Sequence, residues 1–126
     1  MKREELIDYI RETYGAEPEY PWSDLPNYAV FRHANNRKWF AVIMDVPSDK
    51  LGLKGKAVKD IVNLKCDPLM AGSLTAEKGI IPAYHMSKSR WISVLLEDLE
   101  DEEKLKVLLD ISFDLTAVKR KDNKNG

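Results

Sequence analysis

The run Trp39-Phe40-Ala41-Val42-Ile43-Met44 is apolar at six consecutive positions. Side chains of a strand point alternately to opposite faces, so a strand carrying this run needs cover on both sides. It is far too short for a membrane span, which takes about 20 apolar residues. A chain with such a strand has to place it in the interior of a sheet, with Lys38 to Val46 as its extent and Pro47 as its stop. Upstream, Tyr28 to His33 is a second β-rich run. Ala34-Asn35-Asn36-Arg37 joins the two as a hairpin turn, because asparagine tolerates left-handed backbone.

The remaining elements arrange themselves around that hairpin. Leu6, Ile7, Ile10 and Tyr14 recur at helical spacing, which predicts a helix over Lys2 to Tyr14 closed by Gly15. Pro18, Pro21 and Pro26 exclude a helix between residues 16 and 27, and an ordered loop that packs Trp22 is expected there. A polar loop, Ser48 to Lys56, leads to a third strand, Ala57 to Lys65. Alternation predicts that its Val58, Val62 and Leu64 face inward and its Lys59, Asn63 and Lys65 face water. Cys66-Asp67-Pro68 is a helix start, since aspartate caps free N–H groups and proline has none to leave unpaired. That helix should run from Pro68 to about Glu77 and end at Gly79. Two strands, Ile80 to Met86 and Trp91 to Leu96, flank the turn Ser87-Lys88-Ser89-Arg90. A last helix from about Glu102 to Val118 turns Leu105, Leu108, Leu109, Ser112 and Leu115 inward. The order is α-β-β-β-α-β-β-α, an α+β chain with a mostly antiparallel sheet and helices on one side. Residues 1–118 form a single domain in this reading, and the basic tail 119–126 is expected to be disordered.

Composition narrows the classes. One cysteine among 126 residues excludes an internal disulfide. Met-Lys-Arg-Glu-Glu at the start lacks the apolar run of a signal peptide, so a soluble cytoplasmic protein without a membrane role is expected. Net charge is −1, which gives no global attraction to nucleic acid. The charge is segregated, however. Residues 26–96 hold 11 basic and 5 acidic side chains, whereas residues 97–118 hold 2 and 8.

Several segments, taken in order, resemble the MmcQ/YjbR family. They are Tyr20-Pro21-Trp22, Tyr28-Ala29-Val30-Phe31-Arg32, Lys38-Trp39-Phe40-Ala41, Val62 to Pro68, Pro82 to Lys88, Trp91-Ile92-Ser93-Val94 and Ser112-Phe113-Asp114-Leu115. The resemblance implies a two-layer α/β sandwich of order α-β(3)-α-β(2)-α with a five-stranded sheet, like the secretion-chaperone and frataxin-like architectures. It also implies a DNA-binding label, a double-winged surface, and no reaction, cofactor or catalytic residue to carry over. The family often has His-Trp where this chain has Arg90-Trp91, which weakens any role needing a second histidine beside His85.

Candidate chemistry follows from the residues. A thiol nucleophile at Cys66 needs a base and a lowered pKa; neither His33 nor His85 is placed near it by sequence, and a small buried filler is the plainer reading. The single cysteine and two histidines lack metal-ligand spacing. The acidic run Glu97 to Glu103 serves a helix start. Gly52-Leu53-Lys54-Gly55-Lys56 precedes a strand and lacks the phosphate-loop pattern. His85 reads first as a hydrogen-bonded structural residue. A non-enzymatic binding protein without a cofactor is left. One candidate surface is double-stranded DNA against the basic hairpin tips, through Arg32, Arg37, Lys38, Lys54, Lys56, Lys88 and Arg90. The other is a protein partner or small ligand at Trp22, Tyr84, His85 and Trp91.

Overall fold

The central strand is the axis of the computed structural model, which describes residues 1–118. Three helices and five strands follow in the order α1 (Arg3–Tyr14), β1 (Ala29–Arg32), β2 (Trp39–Pro47), β3 (Val58–Lys65), α2 (Pro68–Leu74), β4 (Ile80–Pro82), β5 (Trp91–Leu95) and α3 (Glu102–Thr116). The sheet order is β1-β2-β3-β5-β4, and every pairing is antiparallel. The tail 119–126 lies outside the described residues.

All three helices lie on one face. Leu6 and Ile10 of α1, Ala71 and Leu74 of α2, and Leu105, Leu108 and Leu109 of α3 bury with Phe31, Phe40, Ile43, Leu64, Ile92 and Val94 of the strands. Gly15 caps α1 in the left-handed region at φ 66°, as its place in the sequence predicts. Among the described residues the other face has no α-helix, only the short 3-10 turn Ser48–Leu51. Val30, Val42, Met44, Val46, Ile61 and Leu95 are buried there under loops that bring Trp22, Tyr28, Leu51, Leu53 and Tyr84.

Four expectations need correction. The outward row of β3 is not wet: Ile61 and Asn63 are fully buried, and Val58 is the exposed residue. The fourth strand stops at Pro82 rather than Met86, because the Tyr84 backbone bonds side chains instead of a ladder: its N–H donates to Ser93 Oγ at 2.9 Å and its carbonyl accepts from Asn63 Nδ2 at 2.8 Å. On α3, Leu115 is exposed and Thr116 buried, one position beyond the expected stripe. The second helix ends at Leu74, not Glu77; Gly79 beyond it, at φ 89°, passes so close to Leu99 that an added Cβ would lie 2.8 Å from its Cα.

The hairpin turn also departs from its expected chemistry. Left-handed backbone falls on Arg37, at φ 63°, and not on an asparagine. Asn36 is occupied otherwise: its Nδ2 donates to Thr116 O at 2.8 Å and its Oδ1 accepts from Lys38 N at 2.9 Å. His33 docks the same helix end, with Nε2 3.0 Å from Phe113 O and 2.8 Å from Thr116 Oγ1. The hydrogen-bonded structural histidine is thus His33; His85 is exposed.

Candidate functional site

The open face is organised by one irregularity in β2. Phe31 pairs with Ala41 but Arg32 with Trp39, so Phe40 is an extra residue in the ladder. A buried serine of α3 holds it there. Ser112 Oγ donates to Phe40 O at 2.6 Å and accepts from Lys65 N at 2.9 Å. The extra residue turns Phe40 and Ala41 both toward the helices and shifts the alternation, so that Trp39 joins Val42 and Met44 on the open face.

Registered rows of side chains result. Val42, Asn63 and Ser93 are direct neighbours across β2, β3 and β5, and Met44, Ile61 and Leu95 form the row beyond them. Over these rows lies a cleft of about 290 Å³. Val42, Met44 and Asn63 line it from the sheet, and Trp22, Leu25, Tyr28, Trp39, Tyr84, His85 and Met86 line it from the loops and strand end. Its aromatic wall is self-supporting. The Trp22 ring meets Tyr28 edge to face at 6.0 Å and Trp39 at 5.7 Å. Behind Trp39, the Arg32 guanidinium stands 5.5 Å from the ring and is paired with Glu19 at 3.1 Å. Glu19 in turn exchanges two backbone hydrogen bonds with Val30, which fastens the Trp22 loop to the sheet edge. Burial, then Tyr84 and Asp45 nearby, pushes the Tyr28 phenol up, so its hydroxyl stays protonated at neutral pH.

The opposite wall is set by buried polar bonds. Asn63 and Ser93 are fully buried, Ser93 Oγ donates to Asn63 Oδ1, and together they grip the Tyr84 backbone. With Tyr84 so held, His85 takes φ 58°, and its ring packs on Tyr84 with centroids 3.9 Å apart.

Of the four aromatic and imidazole positions expected at a ligand or partner surface, three meet in this cleft: Trp22, Tyr84 and His85. Trp91 does not. It lines a neighbouring groove with Arg37, Lys38, Trp39, Lys65 and Thr116. Trp39, Tyr28, Asn63 and Lys65 were not among the expected residues. Asn63 gave no local signal, because Lys59 and Lys65 share its row on β3 and make that row look wet.

The basic residues divide between the two ends of the sheet and its face. Arg32, Arg37 and Lys38 stand at the β1–β2 turn, and the Arg90 carbonyl bonds Cys66 N just beyond β3 at the same end. Lys54 and Lys56 sit in the β2–β3 connection, at the other end of the nine-residue β2. Lys50 and Lys88 flank a shallow depression with Ile81 and Tyr84. Several charges are already engaged: Arg32 and Arg37 share Glu19, each at 3.1 Å, and Lys88 Nζ donates to Ala83 O at 2.8 Å. Cys66 is buried, and its thiol is pushed up by that burial and by Asp67, the opposite of what a thiolate nucleophile needs. Among the described residues, no group of three His, Cys, Asp or Glu side chains is arranged to hold a metal ion. No helix among them is long and apolar enough to cross a membrane.

The YjbR family model matches residues 11–115. The chain belongs to the YjbR family. As a YjbR protein it is 44% identical to the uncharacterized protein YyaQ of Bacillus subtilis over 116 residues, 92% of this chain and 98% of that one. A crystal structure of a Pseudomonas syringae protein matches the YjbR fold described above with a TM-score of 0.91 at 44% identity, covering 93% of this chain and all of the other. A Deinococcus radiodurans protein, 21% identical, shares the fold with a TM-score of 0.65 over 94% of this chain and 83% of its own.

Proposed function

We propose that this YjbR protein is a non-enzymatic binding protein whose open-face cleft takes a small, flat, apolar molecule. The observation that carries the reading is the preformed aromatic cleft over Val42, Met44 and Asn63, walled by Trp22, Tyr28, Trp39 and Tyr84. Concave, mostly apolar pockets with a few fixed polar groups are the usual form of a small-ligand site. The exposed His85 ring supplies the polar contact here, while Asn63 is spent on holding Tyr84. A thermal-shift screen with flat aromatic compounds tests it. Hits should raise the melting temperature of the native chain, and Trp22→Ala should abolish the shift. Hits that stabilise Trp22→Ala equally would dispose of the cleft as their site. Recovery of every bound compound unchanged is expected of a protein that binds without catalysis.

A second reading, binding of double-stranded DNA, is favoured by one observation: Arg37, Lys38 and Lys65 share a groove with Trp91, at the sheet end where Arg90 also lies. Phosphate contacts release counterions, so duplex affinity should fall steeply as salt rises. Replacing Lys38, Lys65 and Arg90 together by glutamate should remove it. Duplex affinity that is undetectable at low salt, or indifferent to salt, excludes this reading.

A further inference from the structure

The cleft and the basic groove adjoin at one residue. Trp39 lines both of them. On β3, Asn63 faces the cleft and Lys65 faces the groove. Two residues along a strand return to the same face about 6.6 Å further on. Lys65 is also directly opposite Trp91 on β5, and both line the groove with Trp39. Lys38 reaches the same groove from the hairpin turn. Among the described residues neither Lys38 nor Lys65 has a carboxylate within ion-pair distance, whereas Arg32 and Arg37 are both engaged by Glu19. The apolar cleft therefore adjoins a groove holding two ammonium groups that no described carboxylate engages.

We infer that the ligand of this cleft is an aromatic acid: its ring fills the cleft against Trp22 and Trp39, and its carboxylate or phosphate group lies in the groove between Lys38 and Lys65. The inference rests on the small-ligand reading above and adds the class of molecule to it. A neutral ring would gain only burial; an acid on its edge gains charge-assisted hydrogen bonds from the two lysines, which are stronger than neutral ones. The Ser112 bridge has a part in this, because it holds both the Phe40 irregularity that aims Trp39 and the Lys65 backbone that aims the ammonium group.

Calorimetric titration of the full chain with naphthol, naphthoate and naphthyl phosphate separates the ring from the charge. Both acids should bind about tenfold more tightly than naphthol, the range of a charge-assisted hydrogen bond. Lys65→Met should erase most of that advantage and leave naphthol unchanged. Lys38→Gln, on the exposed turn, should erase a smaller part of it, and it decides the matter if Lys65→Met does not fold. Preference for the phosphate over the carboxylate, or the reverse, identifies which acid the groove takes; either supports the inference. If naphthol binds as tightly as the acids, or the lysine variants leave the acids' advantage intact, the acid group is wrong and the apolar cleft stands. Failure of all three compounds to bind overturns the cleft and the acid together.

Discussion

The two faces of this sheet are sealed by different means. On the helix side, α1, α2 and α3 lay aliphatic stripes over Phe31, Phe40 and Leu64, and burial is complete. On the open side the cover is loop, and its large residues (Trp22, Tyr28, Trp39, Tyr84) are only half-buried. A helix brings its own satisfied backbone and can be packed flat against a sheet. A loop must have its polar backbone groups bonded individually, and here Glu19, Asn63 and Ser93 do so at fixed points. Between those points the cover does not close, and the cleft is what remains. One face is closed by helices; the other is closed by loops that leave a cleft.

The sharpest way to break that contrast is to truncate one residue on each face. Leu109→Ala removes a fully buried side chain under α3 and should cost about 3 kcal/mol in denaturant unfolding. Trp22→Ala, on the open face, should cost about 2 kcal/mol despite the larger side chain, because part of that side chain is already in water and its loop can relax into the space left. Equal costs would mean that the open face is as much a core as the other.

A second variant links the faces. Ser112→Ala leaves the Phe40 carbonyl and the Lys65 N–H without their buried partner, at about 2 kcal/mol. It should also move the Trp39 indole resonance, although no atom of Ser112 lines the cleft. An unmoved Trp39 signal would show that the strand irregularity does not depend on the helix.

The smallest effect expected is one of pH. The Tyr14 phenol, packed on Phe113 at 4.6 Å and hydrogen-bonded to Asp110, is raised well above its ordinary value, first by burial and then by that bond. The neutral form is the one the fold favours. Its contribution is therefore complete below the unfolded phenol's pKa of about 10 and declines as pH rises above it. Tyr14→Phe should lower stability slightly at neutral pH and flatten the alkaline decline of the melting temperature. An unchanged alkaline slope would place the responsible group elsewhere.

Local signals made most of the fold legible. The two-faced run Trp39 to Met44 announced a central strand with double cover, and Asp67-Pro68 announced α2, whose cap Asp67 Oδ1 accepts from Leu69 N at 2.9 Å. The site was only half legible. Trp22, Tyr84 and His85 stood out as aromatic and titratable residues near turn signals. Trp39 did not, because regular alternation from Val42 and Met44 assigns it to the other face; only the extra residue at Phe40, held by a serine 72 positions away, reverses that. Asn63 was misassigned to water for a related reason. Nothing in β3 itself records that the 16–28 loop folds back over the sheet.

The central claim is that the open face, and not the helix face, is where this protein binds. Nitrogen–proton correlation spectra recorded while naphthoate is titrated into the native chain test it most directly. Shifts should concentrate at the Trp22 and Trp39 indoles, Asn63, Lys65 and Tyr84, with α1 and the part of α3 before Ser112 silent. Shifts centred on the helices, or spread evenly over both faces, would contradict it.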